Sequence, residues 1–244
     1  MALIIIDMKK IPLIFIMMLL FVCAAHAQTD SVTKKKHAGK NSIVRDSAGM
    51  VYPYAVWKKM VESGDYRVKA VDPKNEDTEY VLRKLDSAQK ERRMARMPKP
   101  AESTFFTDGE KISSFTARDI DGNKLKLKDL EGKVVVLNFW FIGCPPCRKE
   151  IPDLNKVALD YANDPNVVFI AVSLDMKGEI KQFIKTSPLA YHIVDDGRSY
   201  TDQYGIHLYP TNVVLDKEGK VRYHSVGYAK NTPYWIKKTI DELK

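Results

Sequence analysis

The longest unbroken apolar pattern in the second half of the chain is Val134-Val135-Val136-Leu137-Asn138-Phe139-Trp140, β-branched and interrupted only by one asparagine. Such a run predicts a central strand buried on both faces. A helix is predicted from Pro145 to Tyr161 and a second buried strand from Val167 to Ser173. Together they make a βαβ unit with parallel strands and a right-handed crossover. Next come a helix over Gly178 to Thr186, a short strand over Tyr191 to Val194 and a helical turn over Ser199 to Tyr204. Thr211 to Asp216 and Val221 to Val226, joined by Lys217-Glu218-Gly219-Lys220, form a β-hairpin, and Thr232 caps a last helix from Pro233 to Leu243. Upstream, Phe115 to Arg118 and Lys124 to Leu127 flank the turn Asp121-Gly122-Asn123 as an earlier hairpin. The order of elements is that of an α/β layered domain.

Before residue 109 the pattern is weaker. Residues 28–50 are polar and basic without periodicity and read as a flexible lead. Between Tyr52 and Leu85, aromatic and aliphatic anchors are broken by Ser63-Gly64-Asp65 and Asp72-Pro73, giving a short helix, a turn and then strands. This small α+β extension is followed by a charged helical linker, Asp86 to Met97, ending at Pro98 and Pro100. The extension and linker occupy 51–108 and the main domain 109–244.

The N-terminus carries its own signal. Lys9 and Lys10 precede a 12-residue apolar run from Ile11 to Val22, then Ala25-His26-Ala27 ahead of a polar stretch. This reads as a secretory signal peptide over residues 1–27, cleaved after Ala27. The run is shorter than the roughly 20 residues of a spanning helix. Lipid attachment at Cys23 is the lesser alternative, because Val22 occupies the position where a small residue is expected. Met8-Lys9-Lys10 makes the expected opening of such a leader, so translation is expected to start at Met8; the mass of uncleaved precursor checks this.

The formal net charge is +8 over 244 residues, and its basic excess is concentrated before residue 108. Lys34-Lys35-Lys36 is the densest cluster, a solvated tail or a weak contact for an anionic membrane surface. No nucleic-acid partner is read from this balance. Loss of Cys23 with the leader leaves two cysteines, Cys144 and Cys147, able to pair only with each other or with a partner.

Those cysteines stand three apart at the first turn of a helix that leaves the C-terminal end of a central strand, a spacing suited to reversible oxidation. The helix N-terminus favours a thiolate on the more exposed first sulfur, making Cys144 the nucleophile and Cys147 the resolving thiol. Pro145 and Pro146 remove two amide donors near the Cys144 sulfur, which points to a less stabilised thiolate and a reductant. A Cys144 pKa below about 5 would count against that. A structural disulfide remains open but would close a tiny loop. Zinc needs four ligands, and neither a second cysteine pair nor spaced ligands among His37, His192, His207 and His224 supply them.

The segment Asn138-Phe139-Trp140-Phe141-Ile142-Gly143-Cys144-Pro145-Pro146-Cys147-Arg148-Lys149-Glu150-Ile151-Pro152 resembles the active-site segment of thioredoxin-like proteins of the TlpA and ResA type. Gly122, Leu130 to Lys133 and Tyr209-Pro210-Thr211 follow in the order of that family, so the likeness covers about residues 109–244. It implies a thioredoxin-like fold: a central mixed sheet flanked by helices, with an αβ insertion and an N-terminal hairpin. It also implies that Pro210 is a cis-proline and that Trp140, Pro145, Pro146, Tyr209 and Pro210 meet an extended substrate chain. Thioredoxin's buried aspartate is replaced by Asn138, and the ResA-like acidic residue falls at Glu150, three after Cys147, which becomes the candidate proton relay. Gly143 departs from the family's usual tryptophan and opens the rim of the site. Pro152 is expected to kink the helix.

The function implied is an exported thiol–disulfide oxidoreductase acting on disulfide-containing envelope proteins, such as apocytochrome c before haem attachment. It needs a membrane-bound or exported thiol electron donor, and no cofactor beyond the two cysteines is implied. A peroxide reductase is an alternative, although peroxidatic sites place a threonine before a lone cysteine. A partner- or copper-binding module is another, because two thiols hold a soft ion.

Overall fold

The computed structural model describes residues 37–75 and 77–244. The leader with its Met8 start, Cys23 and the Lys34-Lys35-Lys36 cluster lie outside them. The chain divides into two compact units between Leu85 and Asp86.

In the first unit, β1 (Val44–Arg45) runs parallel to β3 (Tyr80–Lys84), which pairs antiparallel with β2 (Tyr66–Ala70); helix α1 (Tyr54–Ser63) precedes β2. Val44 lies in the stretch without periodicity, yet it is fully buried beside Trp57, Tyr80 and Leu82. A two-residue strand leaves no period to read. Gly64 ends α1 in the left-handed region at φ 91°, which a residue with a Cβ adopts only at a cost.

The second unit opens with α2 (Ser87–Ala95), capped by Asp86, whose side chain accepts from the Gln89 amide at 2.7 Å. The hairpin of β4 (Thr116–Arg118) and β5 (Lys124–Lys126) turns around Asp119, whose Oδ1 accepts the Asp121 and Asn123 amides. There follow β6 (Val134–Trp140), α3 (Pro145–Asp160), β7 (Val167–Ser173), α4 (Lys177–Phe183) and β8 (His192–Val194). The chain continues through α5 (Arg198–Gln203), β9 (Thr211–Leu215), β10 (Val221–Val226) and α6 (Thr232–Leu243). The five-stranded sheet has the order β10-β9-β6-β7-β8; β6, β7 and β8 are parallel, and β9 pairs antiparallel with both β6 and β10. This is the mixed sheet of the thioredoxin-like fold.

Every residue of β6 is buried. Val135, Leu137 and Phe139 enter the core that includes β4–β5 and Phe106, while Val134, Val136 and Trp140 enter the core beneath α3 and α6. Strand alternation puts Asn138 on the α3 side as well. Thr232 proves to be the first residue of α6 and not its cap: Asn231 holds the cap position without a side-chain cap bond, its amide donating instead to Pro98 O at 3.0 Å.

Residues 101–111 run along the outer edge of β10. Val226 N donates to Ala101 O at 2.9 Å, Gly109 N to Val221 O at 2.7 Å and Val221 N to Glu110 O at 2.9 Å. Between them Ser103 N donates to His224 Nδ1 at 3.1 Å, both residues buried.

Candidate functional site

Cys144 is the N-cap of α3, and Pro145 and Pro146 are its first two residues. Neither proline has an N–H, so the first amide able to meet the Cys144 sulfur is that of Cys147, which donates to Sγ at 3.2 Å. Cys144 and Cys147 are joined in a disulfide, S–S 1.99 Å, with Cα atoms 5.3 Å apart. The expected difference in exposure is small: Cys144 is 3% and Cys147 2% exposed. Chemical asymmetry between the sulfurs therefore comes from the helix end and not from solvent access in the oxidised protein.

The loop before Cys144 is pinned from β7. Asp175 Oδ2 accepts the Ile142 amide at 2.7 Å and the Ser173 hydroxyl at 2.8 Å. Sequence reasoning missed Asp175, since its partner lies 33 residues away. Gly143 is exposed, and a Cβ there would meet only ring carbons of Phe141 at 3.6 Å, an ordinary contact.

The Tyr209-Pro210 peptide is cis. Thr211 pairs with Phe139, so Pro210 stands level with the last residue of β6, at the end of the sheet from which the cysteine loop leaves. The Tyr209 ring meets Phe141 edge-on at 5.4 Å. Pro145 is exposed and Pro146 half-buried. Trp140 sits elsewhere than a substrate surface: it is 1% exposed, with its ring 5.5 Å from Phe183. The alternation of β6 turns it into the core, where it supports α3 and α4.

Glu150 lies one turn beyond Cys147 and is 1% exposed. Burial pushes its carboxyl up to about 7, with Asp153 adding a little; Asn212 and the nearby Thr232 hydroxyl oppose the rise. Asn212 Nδ2 donates to Glu150 Oε2 at 3.0 Å, and Asn138 Nδ2 donates to Asn212 Oδ1 at 2.9 Å. Glu150 Oε1 meets no hydrogen-bonding group in bonding geometry among the described residues. The sequence carried a sign of this chain in the two asparagines that interrupt otherwise apolar strands, though pairing them needs the register Asn138 to Asn212.

On the outer face of α3, Arg148 lies over the Phe183 ring at 5.9 Å and Lys149 over Tyr228 at 4.5 Å. Among the described residues no cluster of three or more His, Cys, Asp or Glu side chains is arranged to hold a metal ion.

Comparison with known proteins agrees with this geometry. The family described as AhpC/TSA matches residues 109–224. The thiol-disulfide oxidoreductase ResA of Bacillus anthracis is 36% identical over 131 residues, covering 50% of this chain and 75% of that protein. The thioredoxin-like protein YneN of Bacillus subtilis is 33% identical over 122 residues, 49% of this chain and 72% of that one. Among solved structures, a Chlorobium tepidum protein assigned as thiol:disulfide interchange protein DsbE superposes with TM-score 0.52 at 28% identity, over 57% of this chain and 98% of that one. A thiol:disulfide interchange protein from Bacteroides gives TM-score 0.50 at 26% identity, over 57% and 93%. With a thioredoxin-like sheet, a Cys-Pro-Pro-Cys disulfide at the mouth of α3 and this extent of identity, the chain belongs to the ResA-type thiol–disulfide oxidoreductases.

Proposed function

We propose that this oxidoreductase works outside the cytoplasm, exchanging or reducing disulfides in envelope proteins through Cys144 and Cys147. The observation that carries the reading is the disulfide between the N-cap and third residue of α3, with a buried carboxyl one turn further on. In the reduced protein the Cys144 thiolate attacks a substrate disulfide, forming a mixed disulfide and releasing one substrate thiolate. Cys147 passes its proton to Glu150 and attacks the Cys144 sulfur, expelling the second substrate sulfur as a thiolate, which takes a proton from solvent, and restoring the Cys144–Cys147 bond. Two electrons have moved to the substrate, and an external thiol donor returns them to the enzyme.

The exposed Pro145 and Tyr209-Pro210 are the groups we assign to the substrate chain. The leader sequence supports the location, and an exported apocytochrome c is one substrate class that fits. The test is the reduction potential of the mature protein in dithiothreitol or glutathione mixtures. A value near or below about −270 mV supports an exported reductant, whereas one near about −120 mV makes the protein an oxidant.

A peroxide reductase is the second reading, favoured by the name of the matching family. It requires oxidation by peroxide to outrun exchange with disulfides, which stopped-flow measurement of both rates decides.

A further inference from the structure

Asn138, Asn212 and Ser225 stand directly opposite one another on β6, β9 and β10, so the α3-facing side of the sheet carries a polar row across three strands. All three are at most 2% exposed. Asparagine is among the residues least suited to a strand interior, and burying its amide without partners costs about 1–3 kcal/mol. Two adjacent buried asparagines therefore need a purpose beyond filling space.

Their hydrogen bonds have a direction. A carboxylate accepts and cannot donate, so the Asn212 amide must turn its NH2 toward Glu150 and its oxygen toward Asn138. Turned the other way, Asn212 would set oxygen against oxygen at Glu150 and NH2 against NH2 at Asn138. The bond to Oε2 has a further effect. An oxygen already accepting a well-placed hydrogen is the poorer place for a proton, so protonation is directed to Oε1, which no group meets in bonding geometry among the described residues although the Thr232 hydroxyl lies near the carboxyl.

We propose that Asn212, oriented by Asn138, is the positioning residue that fixes which oxygen of Glu150 takes the proton released by Cys147. The inference rests on the relay role of Glu150 in the mechanism above. Other groups that face this carboxyl are Asp153 on its own helix, Tyr191 ahead of β8, Tyr223 on β10, Tyr228 after it and Thr232 at the start of α6. The tyrosines are all held above their ordinary range, chiefly by burial, so none carries charge near neutral pH. Of Glu150 and these tyrosines, Glu150 is the one whose charge changes there.

The test is the single-turnover decay of a mixed disulfide between Cys144 and thionitrobenzoate, followed against pH in the full chain. This step reads deprotonation of Cys147 alone. Asn212→Leu keeps the volume and removes the donor, and its profile should move to higher pH by about one unit, the worth of one hydrogen bond to a charged group. Asn212→Thr, whose hydroxyl accepts from Asn138 and donates to Glu150 and whose branching suits a strand, should return it toward wild type. In a Glu150→Gln background Asn212→Leu should move nothing. A merely structural asparagine would lower the melting temperature and leave the profile in place. A profile moved by Glu150→Gln but not by Asn212→Leu overturns this proposal alone; one unmoved by Glu150→Gln overturns the relay with it.

Discussion

Replacing Glu150 by glutamine should stabilise the oxidised protein, and do so only above a definite pH. In the folded chain the carboxyl titrates near 7 because burial disfavours its charge, against 4.5 when exposed. Between these values the native state binds a proton that the unfolded chain has released, so stability falls as pH rises from about 4.5 to about 7. Below that window the group costs nothing, and above it the full cost is present. The interval of two and a half units corresponds to about 3 kcal/mol at 1.36 kcal/mol per unit, or roughly 6–12 °C in melting temperature for a domain of this size. Glutamine keeps a carbonyl oxygen for the Asn212 amide and has no charge to desolvate. Urea unfolding of both oxidised proteins from pH 4 to 9 should give curves that meet near pH 4 and separate steadily to pH 7.5. A difference that stays constant with pH, or a wild type that gains on the variant in alkali, would refute the reasoning. Curves that separate as expected would show that the protein keeps a carboxyl that destabilises its oxidised form above neutral pH.

Three other perturbations test separate parts of the second unit. At Gly197 a Cβ would overlap Val172 Cγ1 and stand 2.8 Å from Ser173 O, which is backbone, so Gly197→Ala should lose about 1–3 kcal/mol in urea unfolding. Asp119 is held at about 2: burial raises it, but Asn123, His192 and backbone amides lower it by more. Its contribution, about 2 kcal/mol, is complete above pH 4 and lost as pH falls toward 2; Asp119→Ala should remove that acid dependence as read by circular dichroism. Gly143→Ala, by contrast, adds only an ordinary contact with the Phe141 ring and should leave stability unchanged to within about 0.5 kcal/mol. Its effect belongs in relative rates with different protein disulfides, and a large loss of stability would show that the rim needs glycine.

The second unit was largely legible because its signals are local. β6 and β7 are continuous apolar runs, the β9–β10 hairpin is bounded by a turn, and the cysteine pair announces the helix it opens. Element ends moved by up to three residues, as with α4, which begins at Lys177 and stops at Phe183, short of Thr186. The resemblance marks Glu150, three residues after Cys147, as the acidic residue of the site, whereas its full burial and its fixation by Asn212 depend on packing and on a contact 62 residues apart. The resemblance implies that Trp140 meets the substrate, but the two-residue period of a strand decides its direction, and that direction is inward. Asp175, Val44 and the path of residues 101–111 share one property: each gains its role from a distant partner that no local pattern encodes.

That path along β10 bears on how the protein can be cut. β10 is the last strand on its side of the sheet, and a bare strand edge offers unpaired N–H and C=O groups to any neighbouring chain. Residues 101–111 occupy this edge with backbone bonds at both ends and the buried Ser103–His224 contact between them. The stretch matched by the family begins at 109, after most of that cover has passed. A fragment trimmed to the matched boundary would keep both cysteines and nearly all of the sheet, yet present an adhesive margin and self-associate. The unit that keeps this edge covered must reach back through Ala101, and since Pro98 also receives Asn231 at the head of α6, the safer place to cut lies before α2.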